Sequence, residues 1–311
     1  MINIVKYRYL FLGISLLIII PGMLALLIWG LPLAIDFTGG NLLQLRVDSG
    51  NLPQPAQVIE IYNQLGFQDT QVTTSGADII VIRSKTMDEG TVAEAVKSME
   101  NKLGVTLTVQ QSDSVGPSVG QEVATRAAGA VGLAALGIML YITYAFRGVP
   151  HAFRYGISAV IAMLHDVLVV IGVEAIFGHF LHWEVDALFL TALLTVIGFS
   201  VHDTIVVFDR IRENSILYKR LPYETVVNSS IVQTLVRSIN TQLTVMFTLF
   251  ALAVFGGITI RHFVLILLIG ILSGTYSSIF NAPPILVIWE NKEWRWWFNP
   301  SKRPKDTQAT A

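Results

Sequence analysis

Cysteine is absent from the 311 residues, so the chain holds neither disulfides nor thiolate metal or redox sites. Charge is scarce as well. Asp, Glu, Lys and Arg make up 14% of the chain, where a soluble domain carries about 25%. The net charge is −1, so no bulk field recruits nucleic acid. There is no Walker-type glycine loop and no kinase-like motif, hence no sign of nucleotide hydrolysis. No cofactor and no metal is implied, and an enzyme is not expected. What the chain does have is a 53% hydrophobic content, the balance of a membrane protein.

Six runs are long and apolar enough to cross a bilayer, which takes ~20 helical residues: 9–31, 126–146, 153–177, 187–208, 231–256 and 262–289. The first follows Lys6 and Arg8, but it exceeds the usual signal-peptide core and no small-x-small cleavage site follows it. It reads as an uncleaved span. Basic residues mark one side: Lys6, Arg8, Arg147, Arg154, Arg210, Arg212, Lys219 and Arg220, then Lys292, Arg295, Lys302, Arg303 and Lys305. The loops 178–186 and 257–261 hold only Arg261. The positive-inside rule places both termini in the cytoplasm, and Trp289, Trp294, Trp296 and Trp297 fit an aromatic anchor there. The expected organisation is a cytoplasmic N-terminus and first span over 1–31, an extracytoplasmic domain over 32–125, five further spans over 126–290 and a cytoplasmic tail over 291–311.

The outer domain has its own periodicity. Leu43, Leu45 and Val47 alternate as a strand does, and so do Val105, Leu107 and Val109; 70–74 and 78–83 flank Gly76 as a hairpin. Val58, Ile59, Tyr62 and Leu65 have helical spacing, as do Val92, Val96, Met99 and Leu103. The order βαββαβ predicts a small ferredoxin-like α+β sandwich attached to an α-helical membrane protein of six spans. Asp36, Phe37, Thr38, Gly39 and Gly40 join the first span to it, the glycines suiting a tight turn with positive φ.

Asp203 sits in TALLTVIGFSVHDTIVVF, apolar on both sides. A carboxylate at helix centre costs roughly 2.5–3.5 kcal/mol on insertion scales. It lies seven residues before Arg210, about 10 Å deep at 1.5 Å per residue. Arg237 reaches a similar depth in the next, antiparallel span. Thr234, Arg237, Thr241, Thr244 and Thr248 recur at three- and four-residue spacing as a polar stripe expected to face the bundle or water rather than lipid. Ser200 lies one turn from Asp203, and span three adds His165 and Asp166, whose surroundings echo His202-Asp203. Two readings follow. One is a static ion pair that fixes helix register. The other is an Asp that takes up and releases a proton beside a movable Arg, which the default functional status of intramembrane charge favours. His165 and Asp166 suit relay or packing equally, and His202 suits packing better. Gly270, Gly274 and Ser278, with Ser273, Ser277 and Asn281 beside them, offer a close-approach face to another helix of this chain or to a partner.

The run Gly198–Asn214, the Asp36–Gly40 segment and Phe255-Gly256-Gly257 resemble the SecD/SecF family of protein-export membrane proteins, part of the resistance-nodulation-division superfamily. The resemblance covers nearly the whole chain up to about Trp297. It implies six spans of a twelve-span unit, a SecD partner carrying the other essential membrane aspartate, association with the SecYEG channel, and use of proton-motive force late in preprotein translocation across a prokaryotic inner membrane. It also implies that Asp203 and Arg237 lie on the proton path. His202 stands where many relatives have another residue. Alternatives are a half-size exporter of lipids or small molecules, against which the ~94-residue outer domain speaks, and a scaffold that stabilises the channel.

Overall fold

The computed structural model describes residues 3–48, 52–148 and 151–293. Trp294, Trp296, Trp297 and the basic tail from Arg295 fall outside them. The chain forms two compact units, Leu33–Gly129 on one hand and Met1–Pro32 with Ala130–Ala311 on the other.

The smaller unit contains a short helix α2 (Ile35–Thr38), then β1 (Gly40–Val47), α3 (Pro55–Gln64), β2 (Gln71–Ser75), β3 (Ile79–Ser84), α4 (Glu89–Leu103) and β4 (Leu107–Val115). The sheet order is β2-β3-β1-β4 with every neighbouring pair antiparallel, so the unit is the ferredoxin-like sandwich that its periodicities predict. Leu43, Leu45 and Val47 meet Ile80, Ile82, Val58, Tyr62 and Met99 in one apolar core. β4 runs six residues past the expected 105–109 stretch, and pairs with β1 through a register shift between Gln44 and Leu45. A β-bulge of this kind lets a long edge strand follow the twist of its neighbour.

Gly39 and Gly40 connect α2 to β1 with φ of +71° and +134°. Space is short as well as conformation: a Cβ on Gly40 would stand 2.7 Å from the Ser84 carbonyl oxygen, and one on Gly39 2.6 Å from Pro117 Cα.

The larger unit is helical: α1 (Arg8–Trp29), α5 (Pro117–Ala145, which begins in the smaller unit), α6 (Ala152–Leu181), α7 (Ala187–Leu217), α8 (Tyr223–Phe255), α9 (Ile258–Phe280) and α10 (Ala282–Glu290). By length and composition six segments can cross a membrane, the last being Ile260–Glu290. Helices outrun the apolar runs that announce them. α7 continues nine residues past 208 because Asp209–Arg212 and Arg210–Glu213 pair at i,i+3 on its polar extension. The sixth segment breaks at Asn281, where Pro283 and Pro284 fall in the first turn of a new helix. Proline is tolerated there because those N–H groups need no helical acceptor.

α6, α7 and α9 form the interior of the bundle, with Met163, Val170, Val196, Phe208, Ile211 and Ile266 fully or almost fully buried. α1 exposes apolar surface instead, Leu17 at 73% and Leu27 at 78%, as a lipid-facing helix does. At the chain's start the buried Glu293 carboxylate accepts from Arg8 and from the Tyr9 hydroxyl, and Arg8 also reaches Glu224, tying α1 to α8 and to the residues after α10.

Gly40→Ala is expected to lower the stability of the purified chain by more than about 1 kcal/mol, since both strain and a clash with backbone oppose it. Thermal unfolding in detergent measures this; an unchanged midpoint would contradict the geometry.

Candidate functional site

Asp166 is the centre of the polar interior. Its side chain has no exposed surface and takes two hydrogen bonds on each oxygen. Ser200 Oγ on α7 donates to Oδ2 at 2.5 Å and Ser277 Oγ on α9 at 2.6 Å. Ser273 Oγ donates to Oδ1 at 2.7 Å, and His165 Nδ1 lies 2.9 Å from the same atom. Ser273 and Ser277 are one turn apart on α9, so their hydroxyls approach the carboxyl from one helix face. Three helices thus supply what water would otherwise supply.

Asp203 lies at the next level. It is buried, and Ser278 Oγ donates to its Oδ2 at 2.6 Å. Ser277 and Ser278 are consecutive on α9 and serve the two carboxyls separately. Ser200 precedes Asp203 by one turn yet bonds to Asp166, so α7 also touches both. The two aspartates therefore belong to one hydrogen-bonded neighbourhood of α6, α7 and α9.

The close approach of these helices rests on glycine. A Cβ on Gly274 would sit 3.2 Å from Ser200 Cβ, and one on Gly270 2.2 Å from Val196 Cγ2. The small-residue row is an internal crossing of α9 over α7, which decides between the two partners it could have served.

Arg237 is placed differently from the depth-matched ion pair expected with Asp203. Its side chain is exposed on α8, and among the described residues it enters no ion pair. Residue count sets height along a helix, but azimuth decides contact. The buried line of α8 is Val227, Ile231, Thr234, Ser238 and Gln242. Arg237 lies about 100° around the helix from Ser238. Thr241, Thr244 and Thr248 share its exposed side, and each hydroxyl bonds to the carbonyl four residues back. Of the stripe, Thr234 alone is buried, bonded to Ser230 O. His202 is also exposed, about 100° around α7 from Asp203.

His165 sits beside Asp166 with its ring 6.0 Å from that of Tyr276 and with Nε2 buried and without a partner. One nitrogen on the carboxyl and one unoccupied is the arrangement by which an imidazole can receive a proton on one side and release it on the other. Thr38 Oγ1 donates to Ala34 O, closing the turn of α2. The Asp36–Gly40 segment belongs to the backbone of the smaller unit. One further carboxyl, Glu174 on α6, is fully buried against His262. Glu174 falls inside the 153–177 apolar run, three residues before the end of that run, and the helix continues past it to Leu181.

A polar interior lined by hydroxyls, inside helices whose outward side chains are apolar, defines a multi-pass integral membrane protein. The chain belongs to the SecD/SecF family of protein-export membrane proteins. Residues 95–292 match the SecD/SecF C-terminal model and residues 25–50 the SecD/SecF GG motif. It is similar to the protein translocase subunit SecF of Anaerolinea thermophila, 57% identical over 98% of this chain and 99% of that one. The SecDF of Bacillus subtilis is 34% identical over 93% of this chain but only 38% of its own length. The crystal structure of SecDF from Thermus, described as a translocon-associated membrane protein, superimposes with a TM-score of 0.80 at 31% identity. It too is covered over 93% of this chain and 39% of that one.

Replacing Asp166 by Leu strands three hydroxyls and an imidazole nitrogen, each a penalty of about 1–3 kcal/mol. Asp166→Leu is expected to lower the unfolding midpoint by about 10 °C or more, and Asp166→Asn, which keeps an acceptor, by less than half of that. Differential scanning of the purified chain distinguishes them, and equal midpoints would show that the cluster is dispensable.

Proposed function

We propose that this chain is a SecF-type accessory subunit of Sec protein export that uses proton movement through its bundle to promote late steps of preprotein translocation. The observation that carries the reading is the buried cluster: two carboxyls among hydroxyl donors, inside a family of translocase subunits. Asp203 is the proton-carrying group, with His165, Asp166 and Ser200 as the network that senses its state. One proton descending 100 mV releases about 2.3 kcal/mol. That suffices to bias a two-state motion of helices and attached domain, without covalent catalysis.

Arg237 enters this scheme from the exposed side of α8. A guanidinium facing lipid at that depth is costly, so a second membrane chain is required to cover it. A SecD-type subunit fits, because the fused SecDF relatives are more than twice as long as the segment this chain matches. The distribution of Lys and Arg supports an orientation with both termini cytoplasmic and Leu33–Gly129 outside, where it would meet preprotein emerging from the SecYEG channel.

Asp203→Asn and Arg237→Ala are each expected to reduce the proton-dependent part of preprotein export by membrane vesicles about tenfold or more, with the SecD-containing complex recovered at wild-type yield. Wild-type export by both variants would sink the relay. Loss of the complex with normal export per assembled unit would favour a scaffold.

A further inference from the structure

Glu174 is the intramembrane carboxyl that the cluster leaves unused. It lies on α6 eight residues beyond Asp166, about 12 Å along the axis. Its side chain has no exposed surface. Oε2 is 3.0 Å from His262 Nε2 on α9, and Oε1 is buried without a partner. His262 keeps 19% of its side chain exposed. Aromatic rings wall it, with Trp183 at 4.6 Å and Phe189 at 6.4 Å between centroids. Trp29, the last residue of α1, stacks on His179 near the end of α6. Two tryptophans at one level mark a membrane–water boundary. An imidazole there, mostly buried but partly exposed and in contact with a buried carboxyl, has the form of an entry point. Nδ1 takes a proton from the water side while Nε2 gives its own to Glu174 Oε2, and the ring ends with the charge it began with.

Between this pair and the aspartates the interior is lined by apolar side chains. Val167 and Val170 on α6, Ala192 and Val196 on α7, and Ile266 and Leu267 on α9 are buried there. Among the described residues no buried polar side chain on these helices lies between Glu174 and the cluster. A proton cannot hop about 12 Å through hydrocarbon, so the two levels are insulated in this conformation.

We propose that Glu174 and His262 form a second protonation station, at the end of the bundle away from the Arg-rich connections, which exchanges protons with water on that side. The apolar layer separates it from the Asp166–Asp203 cluster until the helices shift. This rests on the proton reading of that cluster. The other titratable groups at this level are Arg261 on α9, His179 and His182 at the end of α6, and Glu184 and Asp186 in the following connection. Asp186 accepts from Phe189 N at 2.6 Å as the cap of α7. α1 carries no titratable group at this end, and on α7 the first is His202.

A pH profile separates a protonation station from a clamp between α6 and α9. The SecD-containing complex is reconstituted in vesicles, and proton-dependent preprotein export is recorded while the Glu174 side is stepped from about pH 5.5 to about pH 8.5, the range in which His titrates. Glu174→Gln is expected to lower export about tenfold and to flatten its pH dependence, at wild-type yield of complex, while Glu174→Asp restores a wild-type-shaped profile. A wild-type rate and profile for Glu174→Gln overturns the proposal. Should that variant lose assembly, His262→Gln decides, since its amide keeps a bond to Glu174 but cannot relay a proton: a flattened profile supports the station and an unchanged one overturns it. Asp203→Asn is run alongside. If it leaves export intact, the reading of the cluster fails; if it abolishes export while Glu174→Gln does not, the second station alone fails.

Discussion

Solvating the Asp166 carboxyl without water is the constraint on which the bundle depends. A carboxylate moved from water into an apolar interior without partners loses far more free energy than a folded protein has to spare. Four donors from three helices replace that hydration. Oxygen–oxygen distances of 2.5–2.7 Å for the three serines require α7 and α9 to lie almost in backbone contact. Larger residues at Gly270 or Gly274 would part them. The glycines, the serines and the aspartate are therefore one requirement expressed at several positions. The apolar residues around them add the dispersion that membrane helices rely on in place of a hydrophobic driving force.

On the proposed proton reading, the same arrangement would make protonation mechanical. α9 presents Ser277 to Asp166 and Ser278 to Asp203, so a change at either carboxyl alters the hold on a helix that also serves the other. A hydrogen bond to a charged group contributes about 1.5–3 kcal/mol, close to the ~2.3 kcal/mol that one proton delivers per 100 mV. One proton is thus matched to one such bond, not to the whole network. Neutralising one site can loosen α9 without dissolving the cluster, which is the condition for a reversible switch between two packed states.

Much of this was legible in residue order. The period-2 stretch at Leu43–Val47, the continuous apolar run at Ile79–Ile82 and the period-3.6 stretches at Val58–Leu65 and Val92–Leu103 specify the sandwich, because each buried face must repeat with its element. Asp203 was legible because a charge in a long apolar run is expensive wherever it lies. Height was legible through residue count. Azimuth was not: whether Arg237 or Ser238 faces inward depends on how α8 is rotated against α7 and α9, a property of packing that spacing does not encode. Asp166 carried the same sequence signal as Asp203, and its rank as the hub emerges only from serines 34 to 111 positions away. Glu174 lay inside the 153–177 run, but its partner His262 is 88 positions away on α9, a pairing that spacing does not encode.

The exposed row of α8 supports the proposed membrane partner. Arg237, Asn240, Thr241, Thr244 and Thr248 lie on a side of the helix that the described residues leave exposed. The threonines have already satisfied their hydroxyls on their own backbone, so they cost little in lipid. Arg237 has no such escape. Its long side chain can snorkel only if the boundary is near, and its depth matches that of Asp203. On the proposed reading, a lone charge of this kind would disfavour the uncovered chain far more than the covered one and so would act chiefly on specificity, rejecting lipid and accepting a surface that presents an acceptor at that height.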